Sequence, residues 1–138
     1  ASGKLKEIPQ PTLNTLITLD KRTGFPIFVH HFDEKLKMDS VLIGGFISAI
    51  TAFSNELLGQ SGLLRSINHE GFTVMMEHKE FWIVTLIADQ ESFDVRYKLR
   101  TFAQAFYDEF KNIDINDSAE ANVFDKAKGL IEIIFEKG

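Results

Sequence analysis

No cysteine occurs in the chain. Disulfides and thiolate-held metals are thereby excluded, and a reducing cytoplasm is the expected setting. Basic residues are in deficit: 15 Lys and Arg stand against 20 Asp and Glu, a net charge of −5. Nucleic-acid binding needs clustered cations, so no nucleic-acid partner is expected, and no basic patch for a lipid surface either. Signal-peptide patterning is missing as well. No internal repeat, low-complexity tract or long linker divides the 138 residues, a length suited to one domain with its own core. Prolines at positions 9 and 11 mark residues 1–10 as a loose lead-in, leaving residues 11–138 as the single expected domain.

What the chain does have is phenylalanine, 13 residues against one Trp and two Tyr, which points to a large dry core. Hydrophobic residues make up 44% and charged residues 25%, the balance of a globular protein. One further absence is local: no charge falls between Asp39 and Glu56. That stretch includes Ser48, Thr51, Ser54 and Asn55 and falls short of the roughly 20 apolar residues of a membrane span. Membrane insertion is not expected, and a helix buried or held at an interface is.

Strand patterning appears first at residues 13–19 (LNTLITL) and, after the polar turn DKRTG, at residues 25–31 (FPIFVHH). Pro26 marks the second of these as an edge strand. Asp39 is a good N-cap and Gly59 a good stop for the first helix. Three strand-like runs follow at residues 63–69, 72–78 and 81–88, joined by turns short enough for antiparallel hairpins. The last is apolar on both faces and belongs at the centre of the sheet. A second helix is expected over residues 92–111, with Val95, Leu99, Phe102, Ala103, Phe106 and Phe110 on one stripe. A third should open at the capping box Asp117-Ser-Ala-Glu120 and bury Val123, Phe124, Ala127, Leu130, Ile131 and Ile134. The expected fold is therefore α+β, ordered ββαβββαα. Its five-stranded antiparallel sheet has the order 2-1-5-4-3, with one helix on one face and two on the other, as in longin and profilin folds.

On a wheel of 100° per residue, Leu42, Ile43, Phe46, Ile47, Ile50, Phe53, Leu57 and Leu58 share one arc, assigned to the sheet. The opposite side is made of small residues. Gly44, Gly45, Ser48, Ala49 and Ala52 form a ridge that lets a second backbone come close, and they are the candidate partner-binding residues. A loop of the same chain is the alternative occupant of that ridge.

The stretch LIGGFISAITAFSNELLG, followed by LLRSINHEGFTVMMEHKEFWIVTLIADQ and RYKLRTFAQAFYDEF, resembles the longin-like and roadblock-like domains, closest to archaeal members. The resemblance lies in element order and in the Gly-Phe-x-x-Ala-Ile texture of the first helix. Roadblock domains usually begin with a helix before the first strand, and residues 4–11 are too short and Pro-rich for one, which favours longin. The resemblance implies a non-enzymatic protein-interaction module, a small-GTPase-associated regulator or scaffold in membrane-trafficking-like processes. Its partners would be a small GTPase or another longin or roadblock domain, including a homodimer, met on the first helix and on the strand at residues 63–69. A roadblock-type dimeric GTPase regulator is a related reading. A small-molecule sensor of the PAS or profilin-like kind is the rival from another class, disfavoured because one long helix fills the place of its pocket.

Catalytic residues, metal ligands and cofactors are not expected. His30-His31 with Asp33-Glu34 has the look of a ligand cluster, but adjacent strand residues point to opposite faces. His69 and His78 end strands beside Glu70 and Glu77 with no third ligand. The Gly-Gly pair lacks the Lys of a phosphate loop, so the chain does not read as a GTPase.

Overall fold

The computed structural model describes residues 10–35, 37–59, 63–113 and 123–136. Five strands form one antiparallel sheet: β1 (Leu13–Asp20), β2 (Pro26–His31), β3 (Ser66–His69), β4 (Phe72–His78) and β5 (Trp82–Ala88). Their spatial order is β2-β1-β5-β4-β3, with β5 central and buried along its whole length, as its doubly apolar pattern requires. β2 is an edge, and Pro26 lies opposite Leu19, where a register shift relieves the ladder of a missing N–H.

Two long helices and a short helical tail cover the sheet. α1 (Ser40–Leu58) is capped by Asp39, whose Oδ1 accepts from the Val41 and Leu42 amides at 3.1 Å. α2 (Phe93–Phe110) is capped by Ser92 Oγ, which accepts from the Val95 amide at 3.1 Å. The third helix is interrupted. A 3-10 turn (Val123–Lys126) leads into α3 (Ala127–Ile131) and then a π-helical turn (Glu132–Glu136). The capping box at residues 117–120 lies outside the described residues, as does the start of the expected helix.

The core has two halves. On one face of the sheet, Leu16, Met75, Trp82, Val84 and Leu86 meet Leu99, Phe102, Phe106 and Phe110 of α2, with Phe124, Ala127, Ile131 and Phe135 of the tail. Phe106 is the hub of this aromatic layer: its ring stands at 89° to Trp82 at 5.0 Å and lies 4.6 Å from Phe110. Edge-to-face pairs of this kind add roughly 1 kcal/mol each to the burial itself. All six residues of the expected α2 stripe are buried. In the tail, Ile134 packs half-buried against the core and Phe135, four residues after Ile131, is buried beside it.

The other half is smaller: Ile17, Leu19, Ile47, Val74, Met76, Ile83 and Ile87. α1 supplies only Ile47 to it as a fully buried side chain, with Ile43 packed at its margin. The expected division of α1 is therefore overturned. Leu42, Phe46, Phe53, Leu57 and Leu58, assigned to the sheet, are exposed, whereas Gly44 of the small ridge is buried.

The physical reason lies in the β1–β2 turn. Gly24 sits at φ +77, a conformation that suits glycine, and its carbonyl points into the Gly44 position of α1. A Cβ on Gly44 would overlap the Gly24 carbonyl oxygen, and one on Gly24 would come within 2.7 Å of Ser48 Cβ. The small ridge does admit a second backbone, and that backbone is the chain's own turn.

Candidate interaction surface

Once Gly44 and Ser48 are seated on the turn, the opposite face of α1 points away from the sheet. Residues 42, 46, 49, 53 and 57 fall within an arc of about 80° at 100° per residue. They are Leu42, Phe46, Ala49, Phe53 and Leu57, all exposed, Leu42 at 71% and Phe53 at 62%. Gly45 flanks the stripe, and a methyl group in place of its hydrogen would meet nothing within 4 Å. Of the five residues expected to meet a partner, Gly45, Ala49 and Ala52 are thus open to solvent, Ser48 is half-buried and Gly44 is covered by the turn. Ala52 also borders a cleft under the turn, with Asp20, Arg22, Thr51 and Asn55.

A helix apolar all round is normally buried all round, since each unpaired apolar side chain costs roughly 25 cal/mol per Å² left in water. That general rule was the available signal for this face. It could not say which side the sheet would take, because the Gly24–Gly44 contact joins residues 20 positions apart and leaves no periodic trace. By length and composition α1 could cross a membrane. One side of it rests on the turn and buries Ile47, while most of its apolar surface is exposed.

The second surface lies at β3, the other edge of the sheet. β3 has four residues and pairs only with β4. The expected strand began at residue 63. It begins later, at Ser66; just before it the Arg65 carbonyl accepts from the Met76 amide at 2.9 Å and the Leu64 carbonyl from His78 Nε2 at 2.6 Å. Behind β3 stands Arg96 of α2, a residue the sequence pattern did not single out. Its Nε donates to Glu91 at 3.1 Å, Nη1 to the Met76 carbonyl at 2.9 Å and Glu77 at 3.0 Å, and Nη2 to the Arg65 carbonyl at 2.9 Å and Ser66 Oγ at 2.6 Å. All five guanidinium donors are used, and one side chain ties α2 to β3 and β4.

His30 and His31 line one cleft with Glu34, Glu132 and Glu136, and His69 and His78 are not part of it. His31 Nδ1 lies 3.3 Å from Thr15 Oγ1, while His30 Nε2 is 3.8 Å from Glu136 and edge-on to Phe32. His69 stacks on Phe72. Among the described residues no three His, Asp or Glu side chains converge as a metal would need. Burial lowers the pKa of His30, opposed by Glu136, and that of His78, opposed by the Leu64 carbonyl. Tyr107 donates to Glu80 at 2.8 Å, and that bond raises the phenol's pKa.

Layer order, strand order and edges together define a longin/roadblock-type fold. The crystal structure of the Roadblock/LC7 domain from Streptomyces avermitilis superposes on this chain with a TM-score of 0.57 at 12% identity, covering 78% of this chain and 92% of that one. At that identity the likeness is one of fold. No protein-family model matches the sequence, and no curated protein does.

Proposed function

We propose that this chain is a non-enzymatic interaction module of longin/roadblock type, docking a protein partner on the outward face of α1. The observation that carries the reading is the charge-free apolar stripe Leu42, Phe46, Ala49, Phe53 and Leu57 on an outer helix face. Large contiguous apolar patches on a folded domain mark places where another surface fits. A protein suits this one better than a lipid surface, because the charges that bound the helix, Asp39 and Glu56, are acidic. The partner classes are a small GTPase or another longin or roadblock domain, a second copy included. The role is that of a GTPase-associated regulator or scaffold in trafficking-like processes, working in the cytoplasm.

Ala49→Glu tests it. Ala49 is exposed at the middle of the stripe, so the substitution should change the stability of the separated chain by only around 0.5 kcal/mol. An unpaired charge in the docked interface should weaken association by about 2 to 5 kcal/mol. Sedimentation of the chain alone and with small GTPases of the same source reads the association, and thermal melting reads the fold. Association that survives Ala49→Glu unchanged would move the docking surface off α1.

A further inference from the structure

A second cleft, of about 370 Å³, lies between β3 and the first two turns of α2, on the sheet face opposite α1. It is lined by Arg65, Ser66, Glu91, Phe93, Arg96, Tyr97 and Arg100. The arginines of this lining share one carboxylate, Glu77, whose side chain is 11% exposed. Three guanidinium groups address it. Arg96 takes the short bond at 3.0 Å, and its other donors are committed to β3, β4 and Glu91.

Arg65 and Arg100 are left with 3.6 and 3.9 Å contacts to the same carboxylate, too long for hydrogen bonds. Their side chains are 58% and 55% exposed. Glu77 therefore holds two forks within 4 Å of itself and leaves their donors open to the cleft. Two exposed rings flank them, Phe93 at 90% and Tyr97 at 61%, one helical turn apart on the same face of α2. Exposed Arg and Tyr in a cleft make the residue set that dominates binding energy at protein interfaces.

We propose that this cleft is a second binding site and that its ligand is an acidic segment of a partner protein. Carboxylates of the segment pair with Arg65 and Arg100, and an apolar side chain lies against Phe93 and Tyr97. The charge pattern selects that ligand. A guanidinium fork matches a carboxylate in bidentate geometry. Glu91 in the lining and Glu77 behind the arginines repel a compact dianion such as phosphate more than a dispersed row of single carboxylates. Two open arginines are too few for a nucleic acid, whose affinity comes from many phosphate contacts. The site is independent of the α1 surface and stands or falls without it.

The test uses a labelled peptide of alternating Glu and Phe, its Lys-for-Glu counterpart, inorganic phosphate and an oligouridylate, each titrated into the whole chain. Amide shifts from NMR locate binding and fluorescence anisotropy measures it. The Glu peptide is expected to bind, to shift the amides of Ser66, Glu91, Tyr97 and Arg100, and to weaken by at least about tenfold in the Arg65→Ser, Arg100→Ser double variant. Phe93→Ala with Tyr97→Ala should weaken the same peptide and leave the melting temperature unchanged, because both rings are exposed. No binding of the Glu peptide overturns the proposal. So does equal binding of the Lys peptide, or retention of affinity in the arginine variant. Phosphate or oligouridylate that shifts the same amides more strongly than the peptide would reassign the cleft to a bare anion or to RNA, and would equally overturn it.

Discussion

Gly44 and Gly45 are neighbours in sequence with opposite surroundings. A methyl group on Gly44 meets the Gly24 carbonyl oxygen, a backbone atom that cannot turn aside, whereas one on Gly45 meets nothing within 4 Å. Gly44→Ala should destabilise the fold by about 1 to 3 kcal/mol through overpacking. Gly45→Ala, in the same helix, should stabilise it by up to about 1 kcal/mol, the difference in helix propensity. Paired denaturant melts check both, and equal effects would mean that the turn does not seat on α1. His78 shows residue-scale chemistry of another kind. Leu64 offers only an acceptor, so Nε2 carries the hydrogen, and a second proton must go to the buried Nδ1, which has no partner among the described residues. The pKa is accordingly lowered from 6.5. A depressed histidine pKa leaves stability full above the unfolded value and removes it as pH falls through the folded one. Denaturant midpoints should hold down to pH 6.5 and decline below it, less steeply in His78→Gln. An unchanged slope in that variant would assign the titration elsewhere, His30 being the other lowered group.

Among the elements, β3 is a short edge strand whose ladder is supplemented by a side chain from a helix. Four residues pair with β4, and the Arg96 fork supplies the rest of its anchorage. Arg96→Met should cost about 2 kcal/mol, less than a lone buried ion pair because Arg65 and Arg100 still neutralise Glu77. Amide exchange at Ile67 should quicken while that at Val84 and Leu86 in β5 follows global unfolding. Uniform acceleration across β3 and β5 would show that the clamp serves the whole fold rather than this edge. The Arg96 bond to the Arg65 carbonyl and the His78 bond to the Leu64 carbonyl could not be read from the chain, since they join residues 31 and 14 positions apart through side chains. What could be read was whatever repeats: the alternation that centres β5, the stripe from Val95 to Phe110, the edge marked by Pro26. α1 has apolar residues on every side, so its periodicity supported two orientations. A single contact, Gly24 on Gly44, decides between them. The tail has a stripe too, and Phe135 is buried beside its last expected member, the half-buried Ile134.

At the scale of the whole molecule, the two candidate surfaces lie on opposite faces of the sheet and differ in physics. α1 presents carbon, and the Arg65–Arg100 cleft presents charge. Raising ionic strength from about 0.1 M to about 1 M shortens the screening length from about 10 Å to about 3 Å. Association through α1 should be unchanged or strengthened by that change, because salt does not screen apolar burial and excluded salts favour it. It should also carry a negative heat-capacity change, the mark of apolar surface leaving water. Calorimetry of self-association or GTPase binding at the two salt concentrations and at several temperatures reads both quantities. Association that weakens steeply with salt, with little heat-capacity change, would identify a charged contact as the driving one. The stripe from Leu42 to Leu57 would then be a bystander. A salt-insensitive association that Ala49→Glu abolishes would place the partner on α1, with the arginine cleft still free on the far face for a second ligand.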